Sequence, residues 1–486
     1  MLQPPATLRR FTDQDQQNFA ALSGDYNPIH MDELAARRTQ AGACVVHGVQ
    51  SLLWALEIAA STLPLSQLRA VEADFAQFLY LGEPAQLSIV KQNPAEARLE
   101  LRVGETRIAQ YRLLFGDKPE ADALPSHPTT IDYKADALMP LALEWTEIAQ
   151  AAGTVAFYRP HSDAVSTYPA LCAAISAPRV SALLALTRLV GMASPGLHST
   201  FHRISVKLTQ AAPTNDSMLR FVTVESEPSL AVVSIAISAP GLCGTVKASR
   251  RAAPVKQPSL HALREHVAPN SFTGHIALVV GGSRGLGELA AKLLALAGAE
   301  PILTYANGAE DAQAVAEDIR QAGGRAQTMA LNLLEPLAPQ LDALPDIPSS
   351  MYFFATPRIS TRHSGFYSAD LYGIFTRFYV EAFHDLCQAL SRRTPQRLQI
   401  FYPSTVFAGQ PTKNMAEYAM AKAAGEVLAA NMARFLPRLE IESVRLPRMA
   451  TDQTAGMIAQ ELEPAPEHLA PIIQRVEQRA AASRNA

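Results

Sequence analysis

Ser23-Gly24-Asp25-Tyr26-Asn27-Pro28-Ile29-His30 is the stretch whose reading decides this chain. It sets a carboxylate and an imidazole five residues apart, across an Asn-Pro step that a helix cannot simply continue through. Proline keeps the residue before it out of the α region, so Asn27-Pro28 predicts a turn that aims Asp25 and His30 at one point. A carboxylate and a neutral histidine directed at one water can remove and return protons near neutral pH. Taken alone, Asp25 reads as a local cap in a helix-ending loop; the chemistry rests on the whole string.

Preceded by Phe11-Thr12 and a helical Asp13-to-Leu22 segment, Ser-Gly-Asp-x-Asn-Pro-x-His resembles the signature of the MaoC-like, or hydratase 2, family. Members of that family have the hot-dog fold and add or remove water at 2-enoyl / (R)-3-hydroxyacyl thioesters. The resemblance implies that Asp25 and His30 are the catalytic pair and that Asn27 helps orient them, on the substrate side of the site. A second family feature follows at Val45-Val46-His47-Gly48, which opens an apolar run to about Thr62. By resemblance this is the central hot-dog helix, and the Gly48 N–H polarises the thioester carbonyl. A helix N-terminus does offer unpaired donors and positive potential to a developing enolate oxygen. His47 is read as a polar helix-start residue without a catalytic role.

Beyond that helix, Gln67 to Lys91 alternates apolar and polar residues, broken at Gly82-Glu83-Pro84; Arg98 to Val103 and Arg107 to Phe115 supply two more strands. Gly116 to Thr130, with its prolines and charges, reads as a linker. A faint internal repeat comes next. Val180 to Met192 lies over the Val49-to-Ala59 segment, and short alternations follow at Thr200 to Leu208, Ser217 to Val224, Leu230 to Ile237 and Gly244 to Ala248. The order of helix and strands predicts a second hot-dog unit over 131–251, with a separate β-rich domain as the alternative. No Gly-Asp-x-Asn-Pro-x-His equivalent occurs in it, so the chain resembles double hot-dog hydratases whose motif-free half holds the acyl chain. The predicted domains are therefore 1–117 and 131–251, a linker over 252–272, a further domain over 273–460, and a tail over 461–486 with no assignable chemistry.

That further domain has βαβ texture. His275 to Val280 reads as a buried strand, Gly281-Gly282-Ser283-Arg284-Gly285-Leu286-Gly287 opens a helix through Leu296, and Pro301 to Tyr305 is the next strand. Glycines let the backbone crowd a pyrophosphate seated on the helix N-terminus. The spacing resembles the short-chain dehydrogenase/reductase pattern, with Val280 where a threonine is usual. Tyr418-Ala-Met-Ala-Lys422 supplies the second half of that pattern: Tyr418 and Lys422 fall one turn apart on a predicted Met415-to-Phe435 helix. An ammonium beside a phenol favours the phenolate, so Tyr418 can pass a proton to a carbonyl oxygen as hydride arrives. The hydroxyl that grips the carbonyl is Ser404 by residue type and Thr405 by count, and the two alternatives stand.

The resemblance also places Gly281, Ser283, Arg284, Gly285, Leu286, Gly287, Tyr305, Asn332, Tyr418, Lys422 and Thr451 around a nicotinamide cofactor. Tyr305-Ala306-Asn307 has no acid for a ribose 2′-hydroxyl, and Arg284 is a cation with no competing carboxylate in view, so NADPH (NADP+) is expected rather than NADH. Several positions depart from the family. Phe353-Phe354-Ala355-Thr356 stands for Asn-Asn-Ala-Gly, Asn332 for an aspartate, Asp370 for the helix asparagine, and Pro447-Arg448 for Pro-Gly.

Composition sets the class. At 486 residues the chain exceeds one ordinary core, and 48% hydrophobic with 18% charged residues reads as globular. A net charge of −3 gives no case for nucleic acid or an anionic bilayer, no apolar stretch spans a membrane, and four scattered cysteines form no metal or disulfide pattern. Met1 to Arg10 lacks the apolar core of a signal peptide, so a cytoplasmic setting is expected. The sequence thus predicts an α+β double hot-dog followed by an α/β Rossmann-type doubly wound parallel sheet. The expected activity is bifunctional, on an acyl-CoA or acyl-carrier-protein thioester, with homo-oligomerisation left open. Rival readings are a hydratase with a non-catalytic nucleotide-binding domain, a hot-dog thioesterase, and an acyl-carrier-binding module.

Overall fold

The computed structural model describes residues 7–120, 123–210, 217–359, 366–452 and 462–484. It divides into two units, one ending at Ala253 and the other beginning at Pro254.

The first unit is one eleven-stranded sheet. Its first half uses β1 (Thr7–Arg9), β2 (Leu68–Phe75), β3 (Ala85–Asn93), β4 (Glu96–Val103) and β5 (Thr106–Phe115). The second uses β6 (Ile131–Tyr133), β7 (Ala152–Ala156), β8 (Ser199–Leu208), β9 (Met218–Glu227), β10 (Val232–Ala239) and β11 (Leu242–Arg250). The spatial order β1-β3-β4-β5-β2-β8-β11-β10-β9-β7-β6 mirrors itself about the antiparallel β2–β8 seam, where Val71 faces Val206. Each half sends one apolar helix across its sheet just before the seam strand: Gly48–Ala59 before β2 and Ala177–Arg188 before β8. These are the two segments that the internal repeat aligned. Leu52, Leu53 and Leu56 of one and Leu183 and Leu186 of the other are fully buried in a single core that runs through both halves. Burying such side chains is worth about 1.5–3 kcal/mol each, so the halves are stabilised together.

The second unit is a six-stranded, all-parallel sheet of β12 (Ile276–Val280), β13 (Glu300–Tyr305), β14 (Gln327–Ala330), β15 (Ser350–Phe353), β16 (Leu398–Thr405) and β17 (Leu439–Leu446). Its order, β14-β13-β12-β15-β16-β17, is doubly wound, with the switch point between β12 and β15. The buried strands are nearly continuous apolar runs, as a sheet covered on both faces requires.

Two boundary expectations need correction. The segment 252–272 is not a bare linker, because Leu260, Leu263 and Phe272 join the core of the second unit. Nor is 461–486 an idle tail. Ala465–Arg484 forms a helix that buries Leu469, Ile472, Ile473 and Val476. One turn on the same face carries Glu477, fully buried, which accepts from His275 Nδ1 (2.6 Å), Ser350 Oγ (2.5 Å) and the Tyr352 hydroxyl (2.9 Å). The Ala/Glu/Arg-rich composition hid an amphipathic helix whose buried acid, Glu477, locks it to the sheet.

Candidate functional site

The Asp13–Ser23 helix is capped by Thr12, which forms a capping box with Asp15, and it ends at Gly24 in the left-handed region, φ 73°. Two constraints therefore require glycine there: that backbone, and the Arg188 guanidinium, which would lie 1.9 Å from any added Cβ. Asn27 then caps the short Pro28–Met31 helix through its side-chain oxygen, which accepts from Ile29 N (3.2 Å). This turn brings Asp25 and His30 together, as the sequence predicts. Asp25, His30 and His47 each place a polar atom within 4.8 Å of the others.

Each of the three is held in a defined state. The His30 Nδ1 lies 2.7 Å from the Val45 carbonyl, which can only accept, so Nδ1 carries the proton and Nε2 keeps its lone pair. Burial, with His47 facing it, pushes His30 down to about 3, so the ring is neutral across the working range. Asp25 is 1% exposed; its Oδ1 accepts from Asn27 N–H (3.1 Å) and its Oδ2 from the Thr187 hydroxyl (2.6 Å). Burial raises its pKa, opposed by His30, Thr187, Asn27 and Arg188. Gly48 is the first residue of its helix, so its N–H has no intrahelical acceptor, and Phe75 closes over it with ring atoms 3.1 Å from an added Cβ.

Sequence reasoning gave His47 no part, and the structure gives it one. The ring is fully buried, stacks on His30 at 3.8 Å between centroids, and points Nε2 at the Asp25 carbonyl (3.1 Å). Asn27, expected on the substrate side of the site, is fully buried and spends its side chain on backbone groups. Its amide nitrogen donates to Gly191 O (2.7 Å), Gly196 O (3.2 Å) and Leu197 O (3.3 Å), tying the Asp25–His30 turn to the second half. That half was read as degenerate, yet Thr187, Arg188 and Gly191 all reach the turn. Arg188, 0% exposed, lies over the Tyr133 and Tyr158 rings and donates to Gly24 O and to the carbonyls of Lys134, Ala135 and Ala137. No short motif could reveal these residues; only the chain reversal at the seam brings them near.

The second candidate site lies at the carboxyl ends of β12, β15 and β16. Gly281 N–H donates to Thr304 Oγ1 (3.2 Å) and Gly282 N–H to Thr304 O (3.0 Å), pinning the Gly-rich turn to β13. A Cβ on Gly287 would sit 2.1 Å from Gly281 O, the close packing that this turn needs to open a helix at Gly285. Ser283 is buried, Leu286 half-buried, and Thr451 lies beside Gly285. Tyr305 ends β13. Asn332 spends its side-chain oxygen on Leu334 N (3.0 Å), closing its own turn. Arg284 does face a carboxylate, against expectation: its Nη1 lies 3.5 Å from Asp452 Oδ2.

Tyr418 and Lys422 share the Ala416–Phe435 helix, and the structure separates the two hydroxyl candidates. Thr405 faces the Tyr418 phenol and pulls its pKa down against burial, which pushes it up to about 12. Ser404, next on the strand and so on the other face, donates to Glu426, which Arg445 pairs at 2.7 Å. Lys422 donates to Pro403 O (2.7 Å) with its ammonium 4.0 Å from the Tyr379 ring centre, and burial pushes it down to about 7. The Asp370 expectation is corrected. Asp370 is exposed on the first turn of the Ala369–Thr376 helix. The residue beside Tyr418 and Lys422 is Tyr379, in a π turn at Arg377–Ala382 and hydrogen-bonded to Thr356.

Comparison with known proteins bears on both sites. The MaoC like domain family model matches residues 3–117, and the short chain dehydrogenase model matches residues 275–338. No curated protein matches the chain. Among solved structures, an angucycline C-6 ketoreductase with bound NADP is similar at 24% identity, covering 44% of this chain and 93% of that one, TM-score 0.39. A 3-oxoacyl (acyl-carrier-protein) reductase from Agrobacterium tumefaciens C58 with NADP bound is similar at 23%, covering 42% and 88%, TM-score 0.38. A short chain dehydrogenase from Burkholderia cenocepacia J2315 in complex with NADP is similar at 27%, covering 43% and 92%, TM-score 0.39. Among the described residues no single helix is long and apolar enough to cross a membrane. The chain thus joins a MaoC-like domain at its N-terminal end to a short-chain dehydrogenase domain further along.

Proposed function

We propose that the chain is a bifunctional acyl-thioester enzyme. Its MaoC-like domain interconverts 2-enoyl and (R)-3-hydroxyacyl thioesters, and its dehydrogenase domain reduces a 3-oxoacyl thioester with NADPH. The observation that carries the first activity is the pairing of a buried, hydrogen-bonded Asp25 carboxylate with a neutral His30 whose Nε2 lone pair is available. In hydration, His30 Nε2 takes a proton from a water that Asp25 orients, and the water oxygen bonds to C3. The π electrons move toward the thioester carbonyl, whose oxygen meets the Gly48 N–H, and the imidazolium returns the proton to C2. Dehydration is the reverse. A His30 held down to about 3 is a weak base but a strong conjugate acid, suited to handing the proton on to carbon.

For the second activity, the turn from Gly281 to Gly287 fits a dinucleotide pyrophosphate, with Tyr305 and Arg284 toward the adenosine end and Thr451, Lys422 and Tyr418 toward the nicotinamide end. NADPH supplies a hydride when bound. Tyr418, with Thr405 beside it, holds the substrate carbonyl and delivers the proton to its oxygen. A second reading, a hydratase with a non-catalytic nucleotide-binding domain, has one specific observation in its favour: the Lys422 ammonium is spent on Pro403 O and on the Tyr379 ring. Mass spectrometry of a 3-oxoacyl thioester, on coenzyme A and on a carrier protein, incubated with enzyme and NADPH separates them. Gain of two hydrogens followed by loss of water supports the bifunctional reading. No reduction with either carrier, with hydration of a 2-enoyl thioester intact, supports the second.

A further inference from the structure

We infer that Thr187, from the half that lacks the signature, is the positioning residue that keeps Asp25 aimed and ionised, so that the catalytic site is built by both halves. The inference rests on the hydratase reading given above. Thr187 is 3% exposed and ends the Ala177–Arg188 helix. A helical threonine commonly turns its hydroxyl back onto its own backbone carbonyls, but this one donates across to Asp25 Oδ2 at 2.6 Å. The helix continues directly into the Leu189–Ala193 π turn, so Gly191, four residues on, presents the same face. A Cβ there would stand 2.4 Å from Asp25 Oδ1, so bare backbone is what admits the carboxylate to Thr187. Arg188 fixes the residue before Asp25 through Gly24 O (3.2 Å), and Gly191 O takes the Asn27 amide (2.7 Å). Thr187 and Gly191 thus act on the carboxylate itself, while Arg188 fixes the backbone beside it.

Asp25 is buried, and burial disfavours its charge; a donor to the charged form opposes that. The charged or titratable groups facing it are His30 and His47 from its own half, and Arg188 and Tyr133 from the other. Among the described residues of the second half, Thr187 alone bonds to the carboxylate oxygens of Asp25. Removing its hydroxyl raises the Asp25 pKa further, so activity that needs the carboxylate is lost earlier as pH falls.

The test compares Thr187→Val, which keeps shape and removes the donor, with Thr187→Ser, which keeps the donor. In Thr187→Val, kcat/KM for hydration of a 2-enoyl thioester falls about 10-fold or more, the size of a lost hydrogen bond to a charged group, and the acid limb of its pH profile moves to higher pH. Thr187→Ser restores the limb. A wild-type acid limb in Thr187→Val, or equal impairment in both variants with unchanged unfolding, overturns the inference. The carboxyl carbon resonance of Asp25, titrated by NMR in the full chain, needs no substrate. A higher midpoint in Thr187→Val than in wild type supports the inference even if the protein hydrates none of the thioesters offered, which would sink the hydratase reading instead. Equal midpoints overturn the inference whatever the activity.

Discussion

Replacing Gly191 with alanine adds one methyl group at a position distant in sequence from Asp25, and it should all but silence the hydratase. The backbone accepts alanine, since the Gly191 φ lies outside the left-handed region. The new Cβ would lie 2.4 Å from Asp25 Oδ1, 2.6 Å from Oδ2 and 2.7 Å from Cγ, with all three atoms on one side. Ordinary contact needs roughly 3.5 Å, so the carboxylate and the helix must part by about 1 Å. Asp25 cannot retreat without stretching its 2.6 Å bond from Thr187 and its 3.1 Å bond from Asn27 N–H. If the helix yields instead, Thr187 leaves with it, and overpacking costs about 1–3 kcal/mol of stability. Either way a reacting group is displaced by about 1 Å, which costs on the order of 10²-fold in rate. The assay is loss of the enoyl thioester absorbance under initial-rate conditions, beside a thermal melt followed by circular dichroism. Gly191→Ala that folds and hydrates within about threefold of wild type, under 1 kcal/mol of barrier, would refute the reasoning.

Four further outcomes are expected. Tyr418→Phe abolishes 3-oxoacyl reduction while NADPH binding, followed by fluorescence titration, and 2-enoyl hydration persist, because the missing proton is needed only as hydride transfers. Arg284→Ala weakens NADPH by about 1–3 kcal/mol and NADH by less; equal losses in a titration of both would show that Asp452, not the cofactor, is its partner. Glu477→Gln lowers the unfolding free energy of the dehydrogenase unit, read from chemical denaturation, by about 3 kcal/mol or more, since His275, Ser350 and Tyr352 all lose a buried carboxylate. His30 and His47 are each held from 6.5 down to about 3 by burial, so the folded state binds their protons less well than the unfolded chain does. Their stabilising effect is complete above pH 6.5 and is lost as pH falls toward 3, at up to roughly 1.4 kcal/mol per pH unit for each; a chemical-denaturation series over that window should show it, with a shallower slope in His47→Gln.

The Asp25–His30 turn, the Gly-rich turn and the Tyr418–Lys422 helix were legible because each is written in contiguous residues whose backbone demands are local. The repeat was legible as well, since both central helices carry runs of apolar residues that bury nearly every face. What the sequence hid was contact across the fold. Thr187 reads as an ordinary helical threonine until the seam sets it against Asp25. His47 reads as a helix-start residue until the Asp13–Ser23 helix buries it. Residue type favoured Ser404 and count favoured Thr405; strand alternation sends the two to opposite faces, and Thr405 is the one that meets the phenol. Asp370 was chosen by position along a helix, whereas the side chain that the π turn sets against Tyr418 and Lys422 is that of Tyr379. Composition misled most at the C-terminal helix, where alanine and arginine concealed a buried acid.

The mirrored order of the eleven strands has a consequence for how this hydratase behaves on dilution. Were the two halves separate polypeptides, Asp25 would meet its threonine only as often as the partners associated, and specific activity would fall once protein dropped below their dissociation constant. Here one backbone carries both, so their encounter is intramolecular and its effective concentration is set by chain geometry rather than by how much protein is in the tube. Hydration per mole of chain should therefore stay constant down to the most dilute solution in which turnover can still be measured.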